Sequence, residues 1–172
     1  MSEPLTGTSE YAISLATREE IPELLALQEA NLGVHGGTLA VRLTSEWFER
    51  SLEEMPIILA RRSGRLVGYL VSSSRSATAH LALPQAKFGA YPAGPDAYNS
   101  GPLCITRSER GRGLAAMLFR ALRERLPGRE AVTFVRRDNS ASRNAHAKAG
   151  FRAVAEFACD GVDYVVMACS GK

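Results

Sequence analysis

Apolar residues along the chain alternate between strand-like and helix-like spacing, and this alternation predicts the order of elements. Tyr11–Ala16 reads as a first strand. Thr17-Arg-Glu-Glu20 has the form of a capping box, and Ile21, Leu24, Leu25 and Gln28 then follow at helical spacing to about Ala30. Asn31–Gly37 is a glycine-rich loop. A second helix is predicted from about Thr44, carrying Trp47, Phe48 and Leu52, and Met55-Pro56 ends it. Ile57–Arg61 and Leu66–Ser73 are strands joined through Ser63-Gly64.

Residues 74–99 are rich in Ala, Pro, Gly and Ser and read as irregular, with Leu83-Pro84 as one place where a short helix could begin. Gly101–Thr106 is an apolar strand. Gly113–Leu126 is strongly amphipathic, with Leu114, Met117, Leu118, Ala121 and Leu122 on one face and Arg120, Arg123 and Glu124 on the other. Ala131–Val135 is a strand, and Ser140–Ala149 is a short helix stopped by Gly150. Arg152–Phe157 and Val162–Ala168 form a hairpin through Asp160-Gly161. The expected fold is a single α/β domain over residues 11–170 after a flexible residue 1–10 segment. Its mixed sheet has about seven strands and is flanked by about four helices.

Composition adds a charge asymmetry. The net charge of +3 conceals a segment, Arg107–Arg152, with twelve basic side chains against four acidic ones. Such a cluster favours a polyanion, either nucleic acid or a phosphorylated cofactor. A general preference for Arg over Lys accounts for the residue type but not for the clustering. The three cysteines, Cys104, Cys159 and Cys169, have apolar or small neighbours and suggest neither a disulfide framework nor a zinc site. Cys104, within Pro-Leu-Cys-Ile, reads as a packing residue. No apolar run reaches the length of a membrane span and the N-terminus lacks a signal-peptide core, so a cytoplasmic location is expected.

The candidate chemistry centres on Arg110-Gly-Arg-Gly-Leu-Ala115, between a strand and an amphipathic helix. A helix start presents unpaired N–H groups and partial positive charge, and a pyrophosphate can accept both if no Cβ blocks its approach. Gly111 and Gly113 leave that space, Leu114 and Ala115 begin a narrow first turn, and Arg110 and Arg112 add charge at the rim. The loop lacks the Gly-Lys-Ser/Thr ending of a P-loop and the downstream acid of a dinucleotide fold. Taken alone, a glycine turn before a helix is equally compatible with a plain connection.

Two stretches together resemble the GNAT superfamily of N-acetyltransferases. Arg110, Gly113 and Ala115 match its Arg/Gln-x-x-Gly-x-Gly/Ala motif. Asn139, Ser142, His146 and Gly150-Phe151 match its downstream segment. The resemblance covers roughly residues 11–168. It implies acetyl-CoA as co-substrate, with no metal. The pantetheine arm would lie along Leu103, Cys104 and Ile105, the pyrophosphate on the amides of Arg110–Ala115, and Asn139 and Ser142 beside the pantetheine. His146 occupies a position commonly filled by Tyr near the thioester sulfur. Glu109 stands where an aromatic is common, a difference expected to alter only the surface.

The implied reaction is attack of a neutral amine on the thioester in a ternary complex. A strand N–H near Cys104 or Ile105 would meet the developing charge. His146 would serve as acid, base or hydrogen-bond donor to sulfur. Glu29 and Tyr98 are further candidates for the base, while His35 and His80 read as surface histidines. The acceptor, a small-molecule amine or a peptide N-terminus, is expected between the Asn31–Gly37 loop and the 74–99 insert. Neither nucleic acid nor membrane is expected as a partner, and a homodimer is left open. The alternative function is a non-catalytic acetyl-CoA-binding sensor or interaction domain.

Overall fold

The computed structural model describes residues 10–33, 39 and 41–171. Seven strands form one sheet: β1 (Ala12–Leu15), β2 (Ile58–Arg62), β3 (Arg65–Ser74), β4 (Tyr98–Ile105), β5 (Ala131–Arg136), β6 (Arg152–Cys159) and β7 (Val162–Cys169). Their spatial order is β1-β2-β3-β4-β5-β7-β6. All neighbours are antiparallel except β4 and β5, which run parallel.

Five α-helices cover the two faces: α1 (Ile21–Asn31), α2 (Ser45–Glu54), α3 (Ala82–Ala90), α4 (Leu114–Arg125) and α5 (Ser140–Lys148). Leu114, Leu118, Phe119 and Leu122 of α4 pack over one face, joined by Ala149 and Phe151 after α5. On the other face, Ile21 and Leu24 of α1 and Phe48 of α2 cover β2 and β3, and Phe88 of α3 packs over β5 and β7.

Local signals act as the sequence suggests. Glu20 accepts the Thr17 N–H at 3.0 Å, and Thr44 Oγ1 accepts the Trp47 N–H at 3.1 Å. Buried Gln28 bonds both the N–H and the carbonyl of Leu43, fixing the chain as it enters α2.

The 74–99 segment departs from the irregular reading. It contains a 3-10 turn, Ser76–Thr78, then α3, and its last residues start β4. The fold thus has one more α-helix than expected. Leu81 caps α3 without a side-chain bond, so no polar N-cap announces it. Pro84 lies in the first turn, where its missing N–H costs little. Tertiary packing stabilises a helix that propensity alone does not foretell. The expected flexible segment and the Asn31–Gly37 loop fall largely outside the described residues, as does His35. Among the described residues, no helix is long and apolar enough to cross a membrane.

Candidate active site

β4 and β5 pair only at Tyr98↔Ala131 and Asn99↔Val132, although β4 continues to Ile105 and β5 to Arg136. Beyond Asn99 and Val132 the parallel strands part and form a fork. A bulge lies just past the branch: the β3–β4 register shifts between Leu70 and Ser72, so Gly101 and Pro102 together oppose Val71.

Strand alternation decides which peptide groups face the fork. The Thr106 N–H donates to the Val67 carbonyl at 2.8 Å, so position 106 faces β3. Two residues back, Cys104 faces β3 as well, and Leu103 and Ile105 face the fork. The Cys104 amide is therefore committed to the sheet, and of the expected strand donors only those of Leu103 and Ile105 are turned into the fork. The Cys104 side chain is buried against α1, and burial pushes its thiol up to about 12, in keeping with a packing role.

The loop from β4 to α4 is held on several sides. Gly113 caps α4 at φ +81° and Gly111 has φ +75°, a left-handed conformation that glycine adopts without strain. A Cβ at either position would meet no protein atom within 4 Å, so the space above both is open. Arg110 donates through Nε to the Ile105 carbonyl at 3.1 Å and through a terminal nitrogen to Asn31 Oδ1 at 3.2 Å. Its guanidinium thus ties the loop to β4 and α1. Arg112 is the more exposed cation and lies 3.6 Å from Glu10.

Glu109 is buried, which corrects its reading as a surface difference. Its carboxylate accepts the Tyr11 hydroxyl at 2.5 Å and Arg62 at 3.0 Å. These bonds, Tyr11 first, hold its carboxyl below the usual carboxylate range. The residue joins the loop to β2 and to the residue just before β1. Gly68 of β3 provides close contact from beneath: a Cβ there would lie 3.1 Å from the Cys104 carbonyl and 3.5 Å from the Leu114 side chain.

On α5, Asn139 is the N-cap, its Oδ1 accepting the Ser142 N–H at 3.1 Å, and both residues are half-buried. His146 is only 6 % exposed. Its ring lies 4.8 Å from that of Phe119 and 5.2 Å from that of Phe151. Nδ1 is 2.7 Å from the Ser142 carbonyl oxygen. A carbonyl only accepts, so Nδ1 carries the proton and Nε2 of the neutral ring holds the lone pair. Burial lowers the histidine's pKa, which favours that neutral form.

The other base candidates lie elsewhere. Tyr98 is fully buried in the core, and burial pushes its phenol up to about 12; β4 begins at this residue and not at Gly101. Glu29 sits on the exposed side of α1 with Arg42 at 2.9 Å. His80 is exposed.

Two buried hydroxyls among the described residues have no hydrogen-bond partner, those of Tyr98 and Ser100. Ser100 stands just beyond the branch point. A buried hydroxyl without a partner costs about 1–3 kcal/mol, and a polar ligand group entering the fork would satisfy it. The residues therefore fit an extended, phosphorylated ligand. Open space above two glycines leaves room for phosphates, and two outward-facing peptide groups lead from there toward the branch. From Ile105 to Gly101 the strand spans about 13 Å at its usual rise, room for an extended arm.

A sheet forked in this way beside a glycine-started helix defines a ligand-binding α/β domain, and comparison with known proteins specifies it. The sequence matches the Acetyltransferase (GNAT) family over residues 21–151, and the chain belongs to that family. No curated protein gives a significant match.

Solved structures share the fold at low identity. An N-acetyltransferase of Staphylococcus aureus Mu50 is 20 % identical with a TM-score of 0.70, covering 95 % of this chain and 100 % of its own. The yncA protein of Salmonella typhimurium, solved with its cofactor acetyl-CoA, is 17 % identical with a TM-score of 0.69 and 95 % of each chain covered. The ribosomal-protein-S18-alanine N-acetyltransferase of Escherichia coli is 15 % identical with a TM-score of 0.64 and 93 % of each chain covered.

Proposed function

We propose that the protein transfers an acetyl group from acetyl-CoA to an amine, by direct attack within a ternary complex. The observation that carries this reading is the β4–β5 fork, with the peptide groups of Leu103 and Ile105 turned into it and the Arg110–Ala115 loop at its mouth. Family membership and the acetyl-CoA found with a neighbour of the same fold support the choice of ligand.

Acetyl-CoA, when bound, supplies the acyl group as a thioester. Amides at Gly111–Ala115 receive its pyrophosphate at the helix start. Arg110 keeps the loop against β4, and Arg112 adds charge at the rim. Asn139 and Ser142 lie beside the arm that enters the fork. The outward N–H of Leu103 or Ile105 donates where negative charge develops on the acyl oxygen.

His146 is the proposed proton acceptor. Its Nδ1–H is committed to Ser142, its Nε2 retains the lone pair, and burial keeps the ring neutral at pH 7, as a base must be. The 74–99 insert, whose helix α3 packs beside the fork over β5 and β7, contributes to recognition of the amine. The acceptor is a small-molecule amine or a peptide N-terminus.

Parallel calorimetric titrations with CoA and with an oligonucleotide at moderate salt test the ligand class. CoA is expected to bind at the Arg110–Ala115 loop. Binding of the oligonucleotide with no response to CoA would overturn the reading.

A further inference from the structure

Lys87, on α3, is 1 % exposed, and no step above uses it. Its Nζ donates to Asn99 Oδ1 and, at 3.1 Å, to the Val132 carbonyl oxygen. Asn99 and Val132 are the last pair of the β4–β5 ladder. One ammonium therefore bonds both arms of the fork where they part. Asn99 extends the tie through Nδ2 to Thr78 Oγ1 at 2.8 Å and to the Ser74 carbonyl at 3.1 Å. The aromatic rings of Phe88 and Phe134 lie 4.4 and 5.9 Å from Nζ.

Burying an ammonium is costly even when its donors are matched, and an apolar chain of equal length would fill the space without that cost. Burial, with Arg75 adding to it, pushes Lys87 down to about 7, a mark of that cost. An apolar chain cannot bond two strands at once. The lysine's distinctive contribution is thus the placement of its bonds. Because the ladder ends at this pair, the branch point limits how deeply any ligand enters between β4 and β5.

We propose that Lys87 is a positioning residue: its ammonium pins Asn99 to Val132 at the floor of the fork and so sets the seat of the acyl group. The pin rests on geometry alone, and its consequence for acyl transfer rests on the function proposed above.

The test compares wild type with Lys87→Met, an unbranched side chain one atom shorter that lacks the donors, and Lys87→Arg, which keeps a cation with several donors. Amide hydrogen exchange over Ser100–Ile105 should quicken at least about tenfold in Lys87→Met. Its kcat for acetyl transfer should fall at least about tenfold while CoA affinity stays within about threefold. Lys87→Arg should recover part of both losses.

Wild-type exchange at the fork in Lys87→Met would overturn the pin. Faster exchange with undiminished kcat would overturn the positioning role. If wild type acetylated no amine, the acyltransferase reading would fail, while the exchange data would still decide the pin. Should Lys87→Met not fold, Asn99→Ala removes the β4 end of the tie and is read by the same two measurements, with the same results expected and the same results contradicting.

Discussion

Replacement of Gly113 separates what the loop does for folding from what it does for binding. The residue has φ +81°, and an added Cβ meets no protein atom within 4 Å. The cost of Gly113→Ala to the free protein is therefore almost wholly the left-handed backbone, about 1–2 kcal/mol. Gly128, in the turn after α4, provides a matched control: its φ is +77° and the space around it is equally open. The two alanine variants should lose similar stability in a denaturant titration. They should differ in calorimetry with CoA. At position 113 the new Cβ occupies space proposed for the pyrophosphate, and affinity should fall at least tenfold, about 1.4 kcal/mol. At position 128 affinity should be unchanged. Gly113→Val enlarges the effect at a greater folding cost. A folded Gly113 variant that binds CoA as wild type does would remove the loop from the site.

Further perturbations address the surrounding residues. His146→Ala should lower turnover about a hundredfold with CoA affinity largely retained. His146→Tyr should not restore it, because a phenol of pKa about 10 cannot replace a base near neutrality; recovery by Tyr would instead show a hydrogen-bond donor. Glu109, with its folded pKa depressed by Tyr11 and Arg62, stabilises fully above the ordinary carboxylate range and loses that contribution as pH falls through the folded value. Glu109→Gln should therefore flatten the thermal stability profile in that acidic window, and an unchanged profile would count against the buried tie. Gly68→Ala places a Cβ 3.1 Å from the Cys104 carbonyl and should cost about 1–3 kcal/mol in chemical denaturation; a neutral result would mean that β3 and β4 separate easily there.

Much of this architecture is legible in the sequence because local chemistry and tertiary demand coincide. Thr44 before an amphipathic run, Asp160-Gly161 between two strands and the glycines ahead of Leu114 each specify a backbone conformation that the fold also requires. The downstream segment is legible as a motif, but the side chains within it are less so. Asn139 and Ser142 share the start of α5, and His146 is buried beside Phe119 and Phe151, surroundings that spacing alone does not disclose.

Where long-range contacts decide the outcome, the sequence is silent. α3 lacks a polar cap and depends on the sheet beneath it. Lys87 would ordinarily lie outside, and its burial follows from two carbonyl acceptors supplied from β4 and β5. Glu109 draws its partners from Tyr11, just before β1, and from Arg62 of β2, far away in the chain. The commitment of the Cys104 amide depends on strand register, which its neighbours in sequence do not reveal.

The most direct test of the central claim is product formation. The protein is incubated with acetyl-CoA and a panel of small amines, amino acids, amine-bearing antibiotics and peptides with free N-termini, while CoA thiol release and product mass are followed. The account predicts thiol release that depends on an amine, with that amine one acetyl group heavier. Tight binding of acetyl-CoA with no amine modified across the panel would contradict it and favour a non-catalytic acetyl-CoA-binding role.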